Sequence, residues 1–192
     1  MPEPEYDAIL LTGGSARRLG GRDKPALEVG GRSIGARAAA AAATAHRLIV
    51  VGPSPVGVAA DVVTREDPPG GGPVAAIHTG LSYVESTWVA LLAGDLPFLT
   101  AAVLDELRRA AAAVDVALLV DADGRDQPLC AVWRAGVLRS VLGAGESMRS
   151  LLGAVPPERV ERLRIAADPP PWFDCDTEED LARARTWAEG RT

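Results

Sequence analysis

Short apolar runs alternate along this chain with stops built from glycine and proline. Asp7 to Leu11 (Asp-Ala-Ile-Leu-Leu) runs into Thr12-Gly13 and reads as a buried strand. Ser33 is placed to cap a helix that the following alanine run carries to about Ala45. Leu48 to Val51 is strand-like and stops at Gly52-Pro53, and Asp61 to Thr64 is a weaker strand. No helix crosses Pro68 to Pro73, but Pro73 suits a first helical turn, and Val74, Ile77, Leu81 and Val84 keep helical spacing after it. Trp88 to Leu92 is another apolar strand, ending at Gly94-Asp95. Thr100 is placed to cap a helix carrying Val103, Leu104 and Leu107. Val116 to Val120 and Pro128 to Trp133 flank the turn signal Asp123-Gly124, which predicts a long hairpin. Arg134 to Leu142 and Ser147 to Leu152 read as helices, and Val160 to Ile165 as a last strand. Thr177-Glu178-Glu179-Asp180 has the shape of a capping box opening a final helix.

The buried strands lack clean two-residue alternation, as expected where helices cover both faces of a mainly parallel sheet. The expected architecture is therefore α/β, one domain over residues 1–192, with no repeat or linker dividing it. Right-handed crossovers then bring the loops after the strands to one carboxyl edge. The segment from Gly13 to Lys24, Gly52 and Asp95 all follow strands and are expected to share a crevice there.

Charge narrows the choice of partner. The net charge of −6 argues against a general nucleic-acid or membrane-surface binder. An anionic ligand must find a local cluster, and Arg17, Arg18, Arg22 and Lys24 supply one against the single carboxylate Asp23. Lys24 is the only lysine among 20 basic residues. A lysine ammonium is a compact point charge on a flexible stem, unlike the planar arginine fork, so its place in this loop sets it apart. Two cysteines, Cys130 and Cys175, make no disulfide framework in 192 residues and are expected as buried thiols. The acidic start Met1-Pro2-Glu3-Pro4-Glu5 lacks a signal peptide's basic flank, and no apolar run approaches a membrane span, so a cytoplasmic location is expected.

Gly13-Gly14 and Gly20-Gly21 bracket the basic loop, and such glycines let backbone amides close on an anion. The loop is neither a Walker A sequence nor a dinucleotide fingerprint, because the required spacings are missing. Asp95, just past a buried strand, is placed to hold Mg²⁺ together with substrate phosphates; the competing reading is a turn aspartate bonded to its own backbone. Asp174 and Asp176 point the same way if the chain is extended, so one could reach the metal, or Asp176 could merely support a helix start. His46 and His78 lack metal-ligand spacing, and Asp121, Asp123 and Asp126 fail as a calcium loop because Val132 stands where Glu is needed.

The segment Leu11-Thr12-Gly13-Gly14-Ser15-Ala16-Arg17-Arg18-Leu19-Gly20-Gly21-Arg22-Asp23-Lys24 resembles the signature of molybdenum cofactor guanylyltransferases, Leu-Ala-Gly-Gly-x-x-x-Arg-Met-Gly-x-x-Lys. Four further segments follow in family order: Asp67 with Gly72-Pro73, Gly94-Asp95-Leu96-Pro97, Gln127-Pro128-Leu129, and Asp176-Thr177-Glu178-Glu179-Asp180-Leu181. The resemblance implies a three-layer, Rossmann-like nucleotidyltransferase fold and transfer of GMP from GTP to molybdopterin with Mg²⁺, releasing pyrophosphate. It also implies partners that deliver or accept the cofactor. Carried over residue by residue, Leu11, Thr12 and Gly13 contact the nucleotide, Lys24 and Arg18 its phosphates, Asp67 the nucleoside and Asp95 the metal, with Asp176 a second metal candidate.

The chain departs from the pattern at three of these positions. Thr12 replaces the usual Ala and is expected to bring a hydroxyl near the base. Gly52, still a candidate nucleotide contact, stands where the family often has Asn. Asp176 replaces Asn, as in the related cytidylyltransferases, although Gly13-Gly14 leaves room for a purine. Two alternatives accompany guanylyl transfer: transfer of CMP or another nucleotide to a phosphate acceptor, and a non-catalytic nucleotide- or cofactor-binding subunit.

Overall fold

In the computed structural model, which describes residues 5–13 and 24–190, seven strands form one sheet. In chain order they are β1 (Tyr6–Leu11), β4 (Arg47–Val51), β5 (Val62–Thr64), β6 (Trp88–Ala93), β7 (Val116–Val120), β8 (Asp126–Arg134) and β9 (Val160–Leu163), and across the sheet they run β5-β4-β1-β6-β8-β7-β9. The remaining two strands, β2 (Glu28–Val29) and β3 (Arg32–Ser33), make a small separate hairpin. β1 pairs in parallel with β4 and β6, β4 with β5, and β7 with β9. β8 is the exception, running antiparallel to both neighbours. The β7–β8 hairpin is thus present as expected, but its second arm inserts between β6 and β7.

The missing alternation has its cause in the two covered faces. Tyr6, Ala8 and Leu10 of β1 face one cluster with α1 (Ile34–Ala41) and α3 (Ala101–Ala111). Ile9 and Leu11 face the other, with α2 (Gly72–Leu81), α4 (Ala135–Val141) and α5 (Met148–Gly153). Every residue of β1 is buried as a result. A third cluster joins α6 (Glu178–Glu189) to the β2–β3 hairpin and to the segment after β6.

Three caps are where the sequence puts them: Ser33 and Thr100 each accept a backbone N–H at a helix start, and Thr177 with Asp180 forms the capping box of α6; Ser147 caps α5 in the same way as Ser33. Helix α1 is shorter than the alanine run suggests. It ends at Ala41, because the chain must turn back to β4; the Tyr6 hydroxyl meets the Thr44 hydroxyl at 3.0 Å and the Tyr6 carbonyl accepts the His46 amide at 2.8 Å. Helix propensity yields here to tertiary contacts. The β2–β3 hairpin was not expected, although its Gly30-Gly31 turn, with φ of 56° and 72°, is the glycine pair that a tight hairpin favours. Cys130 and Cys175 are buried free thiols, and burial pushes the pKa of both up to about 12, with neighbouring carboxylates adding to the effect at Cys175. Among the described residues no helix is long and apolar enough to cross a membrane.

One buried charge holds the entrance to β6. Asp7 is fully buried in an apolar strand, and its carboxylate accepts the amides of Glu85 (2.7 Å) and Ser86 (2.9 Å) and the Ser86 hydroxyl (3.0 Å). Asp7→Ala would strand two amides beneath the sheet. We expect it to cost about 2–4 kcal/mol in a chemical-denaturation experiment, whereas a loss under about 0.5 kcal/mol would mean that water replaces the carboxylate without penalty.

Candidate functional site

At the carboxyl edge of the parallel strands lies a cavity of about 600 Å³, within the range of small-ligand sites. Its wall follows the strand order. The loop after β5 contributes Arg65 and Glu66, β4 contributes Val51 to Pro53, β1 contributes Leu11 to Gly13, and β6 contributes Ala93 to Asp95. Leu129 on β8 and the turn into α2 complete it. Lys24 also lines this cavity, so the lone ammonium and Asp95 share one space.

The floor is backbone, and glycine makes it so. The Thr12 amide donates to the Val51 carbonyl (3.0 Å), and the Gly94 amide to the Leu11 carbonyl (2.8 Å). At Gly52, φ is +118°, and a Cβ there would lie 2.4 Å from the Gly13 nitrogen. Gly52 is therefore required by the close approach of the two loops. The Thr12 hydroxyl, expected near a base, donates instead to the Val51 carbonyl (3.3 Å) and is buried. A side chain beneath the crossing loops has a backbone acceptor at hand and takes it.

The opposite wall is charged. Lys24 Nζ donates to Asp176 Oδ1, joining positions 152 residues apart. The Cys175 amide donates to the Asp95 carbonyl (3.3 Å), which draws the Asp174–Asp176 segment against the loop after β6. Phe98, Phe173 and Trp187 hold that contact from outside, with ring centroids 5.0 to 6.1 Å apart. Asp176 is thus no mere helix-start residue, since Thr177 and Asp180 do the capping.

Three carboxylates then crowd one ammonium. Burial pushes the Asp95 carboxyl pKa up to about 6; Asp174 adds to the rise, Lys24 and the residue's own backbone amide oppose it, and Asp176 contributes least. The Asp174 carboxyl is also raised, by burial first and by Asp176 second. Hard carboxylate oxygens of this kind are the ligand type that suits Mg²⁺. Among the described residues no three acidic, His or Cys side chains cage a metal by themselves. The residues that could hold an ion together with phosphate and water are Asp95 and one of Asp174 and Asp176.

Of the residues singled out in the sequence, Leu11, Thr12, Gly13, Lys24, Gly52 and Asp95 line the cavity, and Asp176 reaches it through Lys24. Asp67 does not line it. That residue opens the Pro68-Pro69-Gly70 turn with its side chain exposed, and its neighbour Glu66 lines the cavity in its place. Arg18 and the rest of the basic loop lie outside the described residues. Arg65 and Glu66 were missed, although the carboxyl-edge rule that picked out Gly52 and Asp95 applies equally to the residues after Thr64.

The raised Asp95 carboxyl has a consequence for stability. The folded chain holds this proton more tightly than the unfolded chain, so stability falls as pH rises from the ordinary value of 3.8 through about 6. Asp95→Asn removes the penalty. We expect the ligand-free variant to melt above the wild type at about pH 7.5, by up to about 5 °C, and the difference to vanish near about pH 4. A variant that melts below the wild type at both pH values would show that the carboxylate stabilises this loop.

Comparison with known proteins agrees with this architecture. Residues 8–161 match the family model described as the MobA-like NTP transferase domain. A protein of Bradyrhizobium sp. (strain ORS 278) named molybdenum cofactor guanylyltransferase is 30% identical over 94% of this chain and 92% of its own length. Among solved structures, molybdopterin-guanine dinucleotide biosynthesis protein A from Archaeoglobus fulgidus superimposes with a TM-score of 0.72 at 18% identity, over 96% of this chain and 99% of that one. The 2-C-methyl-D-erythritol 4-phosphate cytidylyltransferase of Thermus thermophilus gives 0.71 at 19% identity, over 97% and 99%. The two structural likenesses establish the sheet and its layers, a Rossmann-like nucleotidyltransferase fold. With the family model spanning most of the sheet and a relative matched nearly end to end, this chain belongs to the MobA-like NTP transferases.

Proposed function

We propose that the protein transfers GMP from GTP to molybdopterin and releases pyrophosphate, as a cytoplasmic Mg²⁺-dependent enzyme of molybdenum cofactor synthesis. The observation that carries this reading is the meeting of Lys24 and Asp95 on one cavity of about 600 Å³. The names of the relatives supply the acceptor and the base.

In this reading a terminal phosphate oxygen of the pterin substrate attacks the α-phosphorus of GTP in line, and the bond to the β-phosphate oxygen breaks. Such transfer asks little covalent chemistry of side chains; positioning and charge neutralisation carry it. Lys24 places its ammonium on phosphate oxygens and stabilises charge growing on the leaving pyrophosphate. Backbone at Leu11 to Gly13 supports the nucleotide from the floor. Asp95, with Asp174 or Asp176, would hold Mg²⁺, which supplies Lewis-acid neutralisation of the phosphate oxygens. The attacking phosphate is ionised near neutral pH, so no general base is needed, consistent with the absence of histidine from the described residues that line the cavity. Leu129 on β8, the strand beyond β6, lines the cavity on the side left for the second substrate.

Incubation with molybdopterin, Mg²⁺ and each nucleoside triphosphate in turn, with pyrophosphate as the readout, tests the reading: GTP should far outpace CTP. Faster release with CTP would assign cytidylyl transfer, and tight GTP binding with no release would assign a binding subunit. Lys24→Ala and Asp95→Ala should each lower turnover at least about a hundredfold, the scale of one lost charge-stabilising group. Near-wild-type turnover in either variant would remove that residue from the mechanism.

A further inference from the structure

The cavity has a direction that the sheet imposes. Its walls come from four adjacent strands in the order β5, β4, β1, β6, so Glu66 after β5 stands three strand spacings, about 14 Å, from Asp95 after β6. Lys24, Asp95 and the Asp174–Asp176 segment gather at the β6 end. A nucleotide with its phosphates at that end lays its base toward the β5 end.

Among the described residues, the β5 end of the cavity offers few side chains able to tell one base from another. Gly13, Gly52, Pro53, Pro69 and Gly70 present backbone and ring carbons, and the Thr12 hydroxyl is committed to the Val51 carbonyl. The charged groups described there are Arg65 and Glu66. Arg65 is exposed, whereas Glu66 is half-buried and oriented, its Oε1 accepting the Gly70 amide at 3.0 Å across the proline turn. A carboxylate has about four lone-pair sites, so one backbone bond leaves acceptor capacity.

We propose that Glu66 is the specificity-determining residue of the nucleotide site, accepting both the N1–H and the 2-amino N–H of guanine. The inference rests on the guanylyl-transfer reading for the nucleotide's orientation. Guanine presents two adjacent donors that match a carboxylate. Cytosine presents the acceptors N3 and O2 at the corresponding edge, which a carboxylate repels. Attraction to one base and repulsion of the other are the two halves of discrimination. A site built on a hydrogen-bonding group also rejects an analogue that lacks the matching donor.

The test is calorimetric binding of GTP, ITP and CTP to the full chain with Mg²⁺, for wild type, Glu66→Gln and Asp67→Asn, with a thermal melt of each protein. ITP is GTP without the 2-amino group. Wild type should bind GTP about 10- to 100-fold more tightly than ITP, the value of a hydrogen bond to a charged group. Glu66→Gln keeps an oxygen for the Gly70 amide and gains a donor. It should bring GTP and ITP within about threefold of each other and strengthen CTP binding. Equal wild-type affinity for GTP and ITP overturns the proposal, as does an unchanged GTP-to-ITP ratio in Glu66→Gln. Loss of the ratio in Asp67→Asn alone transfers the role to Asp67 and overturns it too. Binding is read without turnover, so failure of guanylyl transfer itself appears separately, as absent pyrophosphate in the wild type.

Discussion

The ion pair between Lys24 and Asp176 joins the loop after the first strand to the segment before the last helix, and it ties the two charged walls of the site together. Among the described residues, this ammonium is the cation that offsets Asp95 and Asp174 as well as Asp176. A lysine suits the position because its stem lets a point charge turn between a protein carboxylate and a phosphate, where an arginine fork would be fixed by its own geometry. Asp176 is held in place by its neighbours: the Cys175 amide on the Asp95 carbonyl, the capping box of α6, and the packing of Phe98, Phe173 and Trp187. The last helix therefore belongs to the site even though it is far from the sheet centre. Burial first, with Asp174 adding to it, lifts the Asp95 carboxyl to about 6, a cost in the folded chain that a bound cation would offset.

Beneath those charges the floor depends on how closely three loops approach. Gly94 stacks on the Leu11 carbonyl and the Thr12 methyl, and Gly52 stacks on Gly13, at distances that leave no room for a Cβ. An Asn at position 52, common in the family resembled, would drive its Cβ into the Gly13 nitrogen unless the loops moved apart. The nucleoside contact that such an Asn could make must come from elsewhere in this chain, and the next loop along the sheet, after β5, is where oriented polar groups stand.

Most of the sheet was readable because its strands are apolar runs with sharp stops, and two-sided burial explains why they did not alternate. The end of α1 was not readable. Nothing in the alanine run says stop, and the turn is set by Tyr6 bonds that exist only once β1 and β4 are paired. The position of β8 was hidden for a similar reason: a hairpin signal fixes which strands are linked, not whether the second arm inserts between the first and another strand. Within the site, Lys24 stood out as the only lysine, set in a glycine- and arginine-rich loop, and Asp95 as a charge beside a glycine at a strand end. Glu66 did not, because the charged pair Glu66-Asp67 offers two carboxylates one residue apart, and only the structure shows that Glu66 lines the cavity while Asp67 does not.

The same layers of sheet and helix occur in a cytidylyltransferase and in a molybdopterin-guanine dinucleotide biosynthesis protein, both under 20% identical to this chain. A sheet common to all three can supply a carboxyl edge, where in this chain a backbone floor, an ammonium and a carboxylate converge on one cavity. It cannot supply the choice of base, because an architecture shared by proteins with different substrates does not discriminate between them. Base choice must reside in loops that the sheet tolerates in many forms. In this chain the loop after β5 meets that condition. It follows a short edge strand, carries Pro68, Pro69 and two glycines, and brings Glu66 to the end of the cavity three strands from Asp95.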